Sequence, residues 1–132
     1  MKVRTEKTIA IAHYLPNYKG RCKNLHGHNV RIVAEVDADI NFETGMVVDF
    51  IEIKNVIDKY DHQELNQFLE LPTAENFVRK LLDDLSKVIG FNNYESIMVR
   101  VYESEDSYAE DIIYGIPRKT NKDKIDLTFK KK

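Results

Sequence analysis

The stretch HGHNVRIVAEV, His26 to Val36, decides the fold. Its even positions, His26, His28, Val30, Ile32, Ala34 and Val36, run from two histidines into a purely apolar row, while Asn29, Arg31 and Glu35 take odd positions. Residues two apart share one face of a strand, so the pattern predicts a β-strand whose core face begins with two imidazoles. Upstream, Val3 to His13 reads the same way, with Ile9, Ile11 and His13 on one face. A loop marked by Pro16, Asn17 and Gly20 separates the two segments, so a hairpin with a long connection is expected.

Downstream, Asn41 to Gly45 is a turn. Asp49 is an N-cap for a helix running to about Lys59, with Phe50, Ile53, Val56 and Ile57 at helical spacing. A second helix is predicted from about Thr73 to Ile89, opened by Pro72-Thr73 and ended by Gly90. Its apolar stripe is Phe77, Leu81, Leu82 and Leu85. A third strand near Ser96 to Glu103 puts Ile97, Val99, Val101 and Glu103 on one face, and a short fourth near Tyr108 to Tyr114 is expected to pair with it.

Composition bounds the function. The 132 residues suit a single domain spanning 1–132, with 42% hydrophobic and 32% charged residues. A net charge of -2 gives no support for nucleic-acid binding by bulk charge. The basic run Lys119 to Lys132, in a tail from about residue 117, reads as a solvated end. No apolar run approaches a membrane span, and the N-terminus lacks a signal-peptide core, so no membrane association is expected. One cysteine excludes an internal disulfide and fits a reducing cytoplasm.

The chemistry-bearing residues are few. His26 and His28 on one strand face, with His13 ending a neighbouring strand, can form a three-nitrogen zinc site with an open fourth position, as in catalytic zinc. The competing reading makes His13 a core histidine and His-Gly-His a turn. Cys22 lies among Gly20, Arg21 and Lys23, surroundings that favour an accessible thiolate able to act as base or nucleophile. It could equally be a small buried residue, or a fourth zinc ligand that closes the site. Asp61 and His62 are not expected to pair simply through the chain but can face one cleft, where His62 would move a proton near neutral pH. His62 also fits a histidine at a helix C-terminus, where the helix dipole favours it. Glu103 ends an apolar row, so it lies at an open sheet end or binds something. A carboxylate there can accept two parallel hydrogen bonds from an N–H/NH2 ring edge.

These residues recur as ordered blocks. They are Ala12-His13, Cys22-x-x-x-His26-Gly27-His28-Asn29, Gly45-Met46-Val47-Val48-Asp49-Phe50, Asp61-His62-x-x-Leu65-Asn66, Pro72-Thr73-Ala74-Glu75-Asn76 and Val101-Tyr102-Glu103. Together they resemble the 6-pyruvoyltetrahydropterin and 6-carboxytetrahydropterin synthase family over about Val3 to Ile113. The resemblance implies an α+β tunnelling fold, with a four-stranded antiparallel sheet and two helices on one face. Such subunits join into a trimeric β-barrel, stacked as a homo-hexamer, with active sites between subunits. It implies zinc on His13, His26 and His28, Cys22 as catalytic base, and Asp61 and His62 as a proton relay. Glu103 would anchor the pterin, with Thr73, Ala74 and Glu75 lining its pocket. The implied substrate is 7,8-dihydroneopterin triphosphate.

Three residues between Cys22 and His26 resemble the 6-carboxy type, which also releases acetaldehyde; the pyruvoyl type has two more and stops at the diketone. A variant with glutamate in place of this cysteine is not matched, since no acidic residue lies between Lys19 and His28. The family's Phe-x-Ala-Ala-His is here Ile9-Ala10-Ile11-Ala12-His13, and its Glu-Thr is Glu103-Ser104, which keeps the hydroxyl. The 6-carboxy product would feed queuosine or other deazaguanine synthesis. Two other classes remain, a non-catalytic zinc protein on the same fold and a metal-dependent hydrolase needing neither Cys22 nor Glu103.

Overall fold

The computed structural model describes residues 1–116. The tail from 117, with its basic run, lies outside the described residues. The element order is β1 (Lys2–His13), β2 (His26–Asp37), α1 (Phe50–Asp58), β3 (Gln63–Glu64), α2 (Ala74–Ile89), β4 (Ser96–Ser104) and β5 (Ser107–Tyr114). The sheet order is β3-β1-β2-β4-β5. The expected hairpin is present, antiparallel from Lys2↔Asp37 to His13↔His26. β4 pairs antiparallel with β2 and with β5.

The sheet has five strands rather than four. The added β3 is two residues long and parallel to β1, pairing Ile11 with Gln63 and Ala12 with Glu64. Two residues carry no readable alternation, so the docking of the corner that follows α1 creates this strand.

Both helices cover one face of the sheet. The core joins Ile9, Ile11, Val30, Ile32, Ala34 and Val36 of the hairpin to Ile97, Val99 and Val101 of β4. Against them pack Ile53, Val56 and Ile57 of α1 and Phe77, Leu81, Leu82 and Leu85 of α2. Phe50 departs from the expected stripe and is 44% exposed. It is the first helical residue, and only the turns after it are covered. The Asp49 carboxylate accepts from the Ile51 amide at 2.8 Å, capping α1. Gly45 takes φ 73° in the Asn41 turn, a left-handed conformation suited to glycine. No described helix is long and apolar enough to cross a membrane.

One charged group is buried between the helices. Asp84 of α2 is 8% exposed and accepts a hydrogen bond from the Tyr60 hydroxyl. Lys59 Nζ lies 3.2 Å and Lys80 Nζ 3.4 Å from its carboxylate. Burial pushes the Asp84 carboxyl upward, but the Tyr60 and Lys59 bonds and the two ammonium charges outweigh it and hold it below the ordinary range. A carboxylate depressed in the folded state contributes stability above its unfolded pKa and loses it as pH falls through the folded one. Urea titrations across acid pH should show stability falling, with a limiting slope for this one group of about 1.4 kcal/mol per pH unit. The Asp84→Asn variant should flatten that slope.

Candidate active site

Strand register builds a candidate metal centre. His13 stands opposite His26, and Ile11 opposite His28. Directly opposed residues share a face, and His28 is two residues from His26, so all three imidazoles meet on the helix side. Ring centroids lie 4.6 to 5.6 Å apart. Each ring offers one ligand nitrogen, and the three lie within 4.8 Å of one another.

The rings are oriented from behind. His13 Nδ1–H donates to the Pro72 carbonyl at 2.8 Å, and His26 Nδ1–H donates to the Asn24 carbonyl at 2.8 Å. A carbonyl only accepts, so these bonds fix the tautomer and leave each Nε2 lone pair free for a metal. The Nε2 atoms of His13 and His28 are 3.1 Å apart. Tetrahedral zinc with bonds of about 2.0–2.1 Å spaces its nitrogens by about 3.3 Å, so the donor set fits that ion. Burial holds the His13 pKa below the ordinary imidazole value. The His26 and His28 charges act in the same direction, against the Pro72 bond and Glu103. The neutral ring is the ligating form.

Glu103 sits at a register shift. β4 pairs Tyr102 with Tyr108 and Ser104 with Ser107, leaving Glu103 as the unpaired residue of a bulge, and β2 pairing begins only at Arg31↔Tyr102. Bulges re-aim side chains beside functional sites. One cavity is lined by His13, His28, Thr73, Ala74 and Glu103, over a floor of Ile11, Val30, Leu65 and Phe77. An adjoining one is lined by Ala74, Glu75, Glu103, Ser107 and Tyr108. Thr73 caps α2 through Asn76 N–H at 3.1 Å. The bend that starts α2 therefore supplies both the Pro72 carbonyl behind His13 and the cavity wall.

Cys22 lies on a 3-10 turn, Arg21–Lys23, and is half-buried. Its carbonyl accepts from the Leu15 amide at 2.7 Å, which ties the loop across its base. The histidine cluster does not include it. Asp61 and His62 occupy the corner after α1 and, unlike the sequence expectation, pair directly, with His62 Nδ1 3.1 Å from Asp61 Oδ1. The reason is the backbone: His62 has φ 59°, which folds its ring back on its neighbour. Asp61 Oδ1 also accepts from the Ala10 amide at 2.9 Å. That bond, against burial and helped by His62, holds Asp61 below the ordinary carboxylate range, so it stays ionised. The His62 side chain is 81% exposed. Cys22, Asp61 and His62 line neither cavity.

Asn66 had no role assigned from sequence, although it closes one of the ordered blocks. Its side-chain amide makes two bonds of 3.0 Å to the backbone of Tyr14, gripping the residue that follows His13.

A family model described as 6-pyruvoyl tetrahydropterin synthase matches residues 2–111. A protein of Archaeoglobus fulgidus, provisionally named 6-carboxy-5,6,7,8-tetrahydropterin synthase, is 34% identical over 114 residues, covering 83% of this chain and 94% of that one. A Synechocystis protein named 6-carboxy-5,6,7,8-tetrahydropterin synthase is 40% identical over 81 residues, 53% of this chain and 63% of its own. The solved 6-pyruvoyl tetrahydropterin synthase of Caenorhabditis elegans superimposes with a TM-score of 0.66 at 21% identity, covering 87% of this chain and 95% of its own, which establishes the shared fold.

Proposed function

The chain belongs to the 6-pyruvoyl tetrahydropterin synthase family, and we propose that it is a zinc-dependent 6-carboxytetrahydropterin synthase acting on 7,8-dihydroneopterin triphosphate. The observation that carries this reading is the three-imidazole cluster, two of whose rings, His13 and His28, line a cavity together with Glu103. The names of the Archaeoglobus and Synechocystis relatives and the Cys22 to His26 spacing support the 6-carboxy type.

In this reading His13, His26 and His28 hold zinc, which when bound supplies a Lewis acid and template for the substrate's side-chain hydroxyls. Glu103 accepts paired hydrogen bonds from the pterin edge, and Thr73, Ala74 and Glu75 border the ring. Cys22, flanked by Arg21 and Lys23, removes a proton as thiolate. His62, oriented by ionised Asp61, gives or takes the second. Triphosphate leaves, and one water adds to the carbonyl next to the ring as the adjoining carbon–carbon bond breaks, so two carbons depart as acetaldehyde and the carbon left on the ring becomes the carboxylate.

Because His62 faces outward while Glu103 faces the cavity, one chain does not gather the whole set. Among the described residues the sheet ends at β3 and β5, edges that suit a barrel trimer bringing His62 of one copy to the cavity of the next. A homo-hexamer of two such trimers is the assembly proposed. The single cysteine suits a cytoplasmic setting, and the carboxylated product suits deazaguanine synthesis such as queuosine.

The test is product identification after incubating the zinc-loaded protein with 7,8-dihydroneopterin triphosphate under reducing conditions. Acetaldehyde with 6-carboxytetrahydropterin is expected. A pyruvoyl product without acetaldehyde would reassign the chain to the pyruvoyl type. No consumption, with zinc bound, would favour a non-catalytic zinc protein.

A further inference from the structure

The buried Tyr60–Asp84 bond has no part in the chemistry above, yet it lies one residue from the Asp61–His62 pair. Tyr60 is fully buried, with its ring edge-on to Phe68 at 5.0 Å and to Phe77 at 5.2 Å. Its hydroxyl is bound to Asp84 on α2. Its backbone carbonyl accepts from the Gln63 amide at 3.2 Å, closing the tight turn whose two central residues are Asp61 and His62. The other side of that turn is tied to β1 by Ala10 N–H to Asp61 at 2.9 Å and His62 N–H to the Ala10 carbonyl at 2.7 Å. The corner therefore hangs between two anchors, β1 and α2. His62 is also the one non-glycine residue with positive φ among the described residues, a conformation that persists only when its surroundings enforce it.

We propose that Tyr60 and Asp84 are a positioning pair that fixes the Asp61–His62 corner against β1. The proposal rests on the reading of that corner as the proton relay. Asp84 suits the task because Lys59 and Lys80 keep it ionised in a site only 8% exposed, so the Tyr60 hydroxyl has a charged acceptor. Without the bond, Tyr60 keeps its packing but loses the fixed end of its lever. The turn then samples other settings, and a displacement of about 1 Å in a proton-transfer group is enough to slow the step.

The test combines kinetics with amide hydrogen exchange in the full-length, zinc-loaded protein. Tyr60→Phe should lower kcat about tenfold with KM unchanged. It should also speed exchange at the Ala10 and His62 amides at least about tenfold more than at the Ile32 amide of central β2. Asp84→Asn, which still accepts from the Tyr60 hydroxyl, should stay within about threefold of wild type in both measurements. Asp84→Ala removes the acceptor from the α2 side and should reproduce Tyr60→Phe if that variant folds poorly. A uniform rise in exchange at all three amides in Tyr60→Phe, or an unchanged kcat, would overturn the proposal in favour of a purely structural bond. If wild-type protein does not turn over the triphosphate, the proposed reaction falls, and the exchange contrast alone still upholds or overturns the clamp.

Discussion

Replacing Cys22 with alanine should abolish turnover of 7,8-dihydroneopterin triphosphate while leaving bound zinc unchanged. The expected loss in kcat is about 10³-fold or more, since a positioned general base contributes roughly 10²–10⁴. The prediction follows from two placements. Cys22 lies on its own turn between two cations, and it stands outside the three-histidine cluster. Its backbone carbonyl, not its side chain, ties the loop to Leu15, so the alanine variant keeps that tie. Rapid-quench kinetics with zinc content measured on the same sample separates the readings. Loss of zinc together with activity would make Cys22 a fourth ligand and the site a closed, structural one. Full activity with zinc retained would point to metal-dependent chemistry that needs no thiolate, such as hydrolysis.

Period-two alternation in two segments puts His13, His26 and His28 on core faces and the long connection suggests a hairpin, but the register between the strands is not legible. The structure supplies it, with His13 opposite His26. Glu103 was legible as a carboxylate ending an apolar row, but the bulge that aims it was not, because a bulge is set by two strands together. The Asp61–His62 contact escaped for a different reason. It needs a left-handed backbone at His62, and nothing in a histidine's identity marks that. The Tyr60–Asp84 bond joins the corner after α1 to α2, a contact 24 residues apart in the chain that no local pattern marks. The roles of Asn66 and of the Pro72 carbonyl depend on tertiary docking onto the end of β1, which local pattern does not encode.

Removing one imidazole should have the second large effect, and His28 is the informative choice. His13 is 4% exposed, so His13→Ala would also open a hole in the core and confound metal loss with unfolding. His28 is only half-buried, opposite Ile11 near the end of the hairpin, and truncating it leaves the strand pairing intact. Two nitrogens remain in His28→Ala, those of His13 and His26, still oriented by Pro72 and Asn24. Two ligands do not hold zinc as three do, and affinity should fall by about 10²-fold or more, on the scale of 10–100-fold for losing even an outer partner. Competition with a chromophoric chelator measures this directly. Thermal unfolding gives an independent reading: zinc at about 1,000 times its Kd stabilises a folded site by about 4 kcal/mol, and most of that shift should vanish in the variant. The apo forms of variant and wild type should unfold at nearly the same temperature. Were His28→Ala to bind zinc as tightly as wild type, the convergence of the three nitrogens would be a packing arrangement of core histidines, and the metal-dependent mechanism would fall with it.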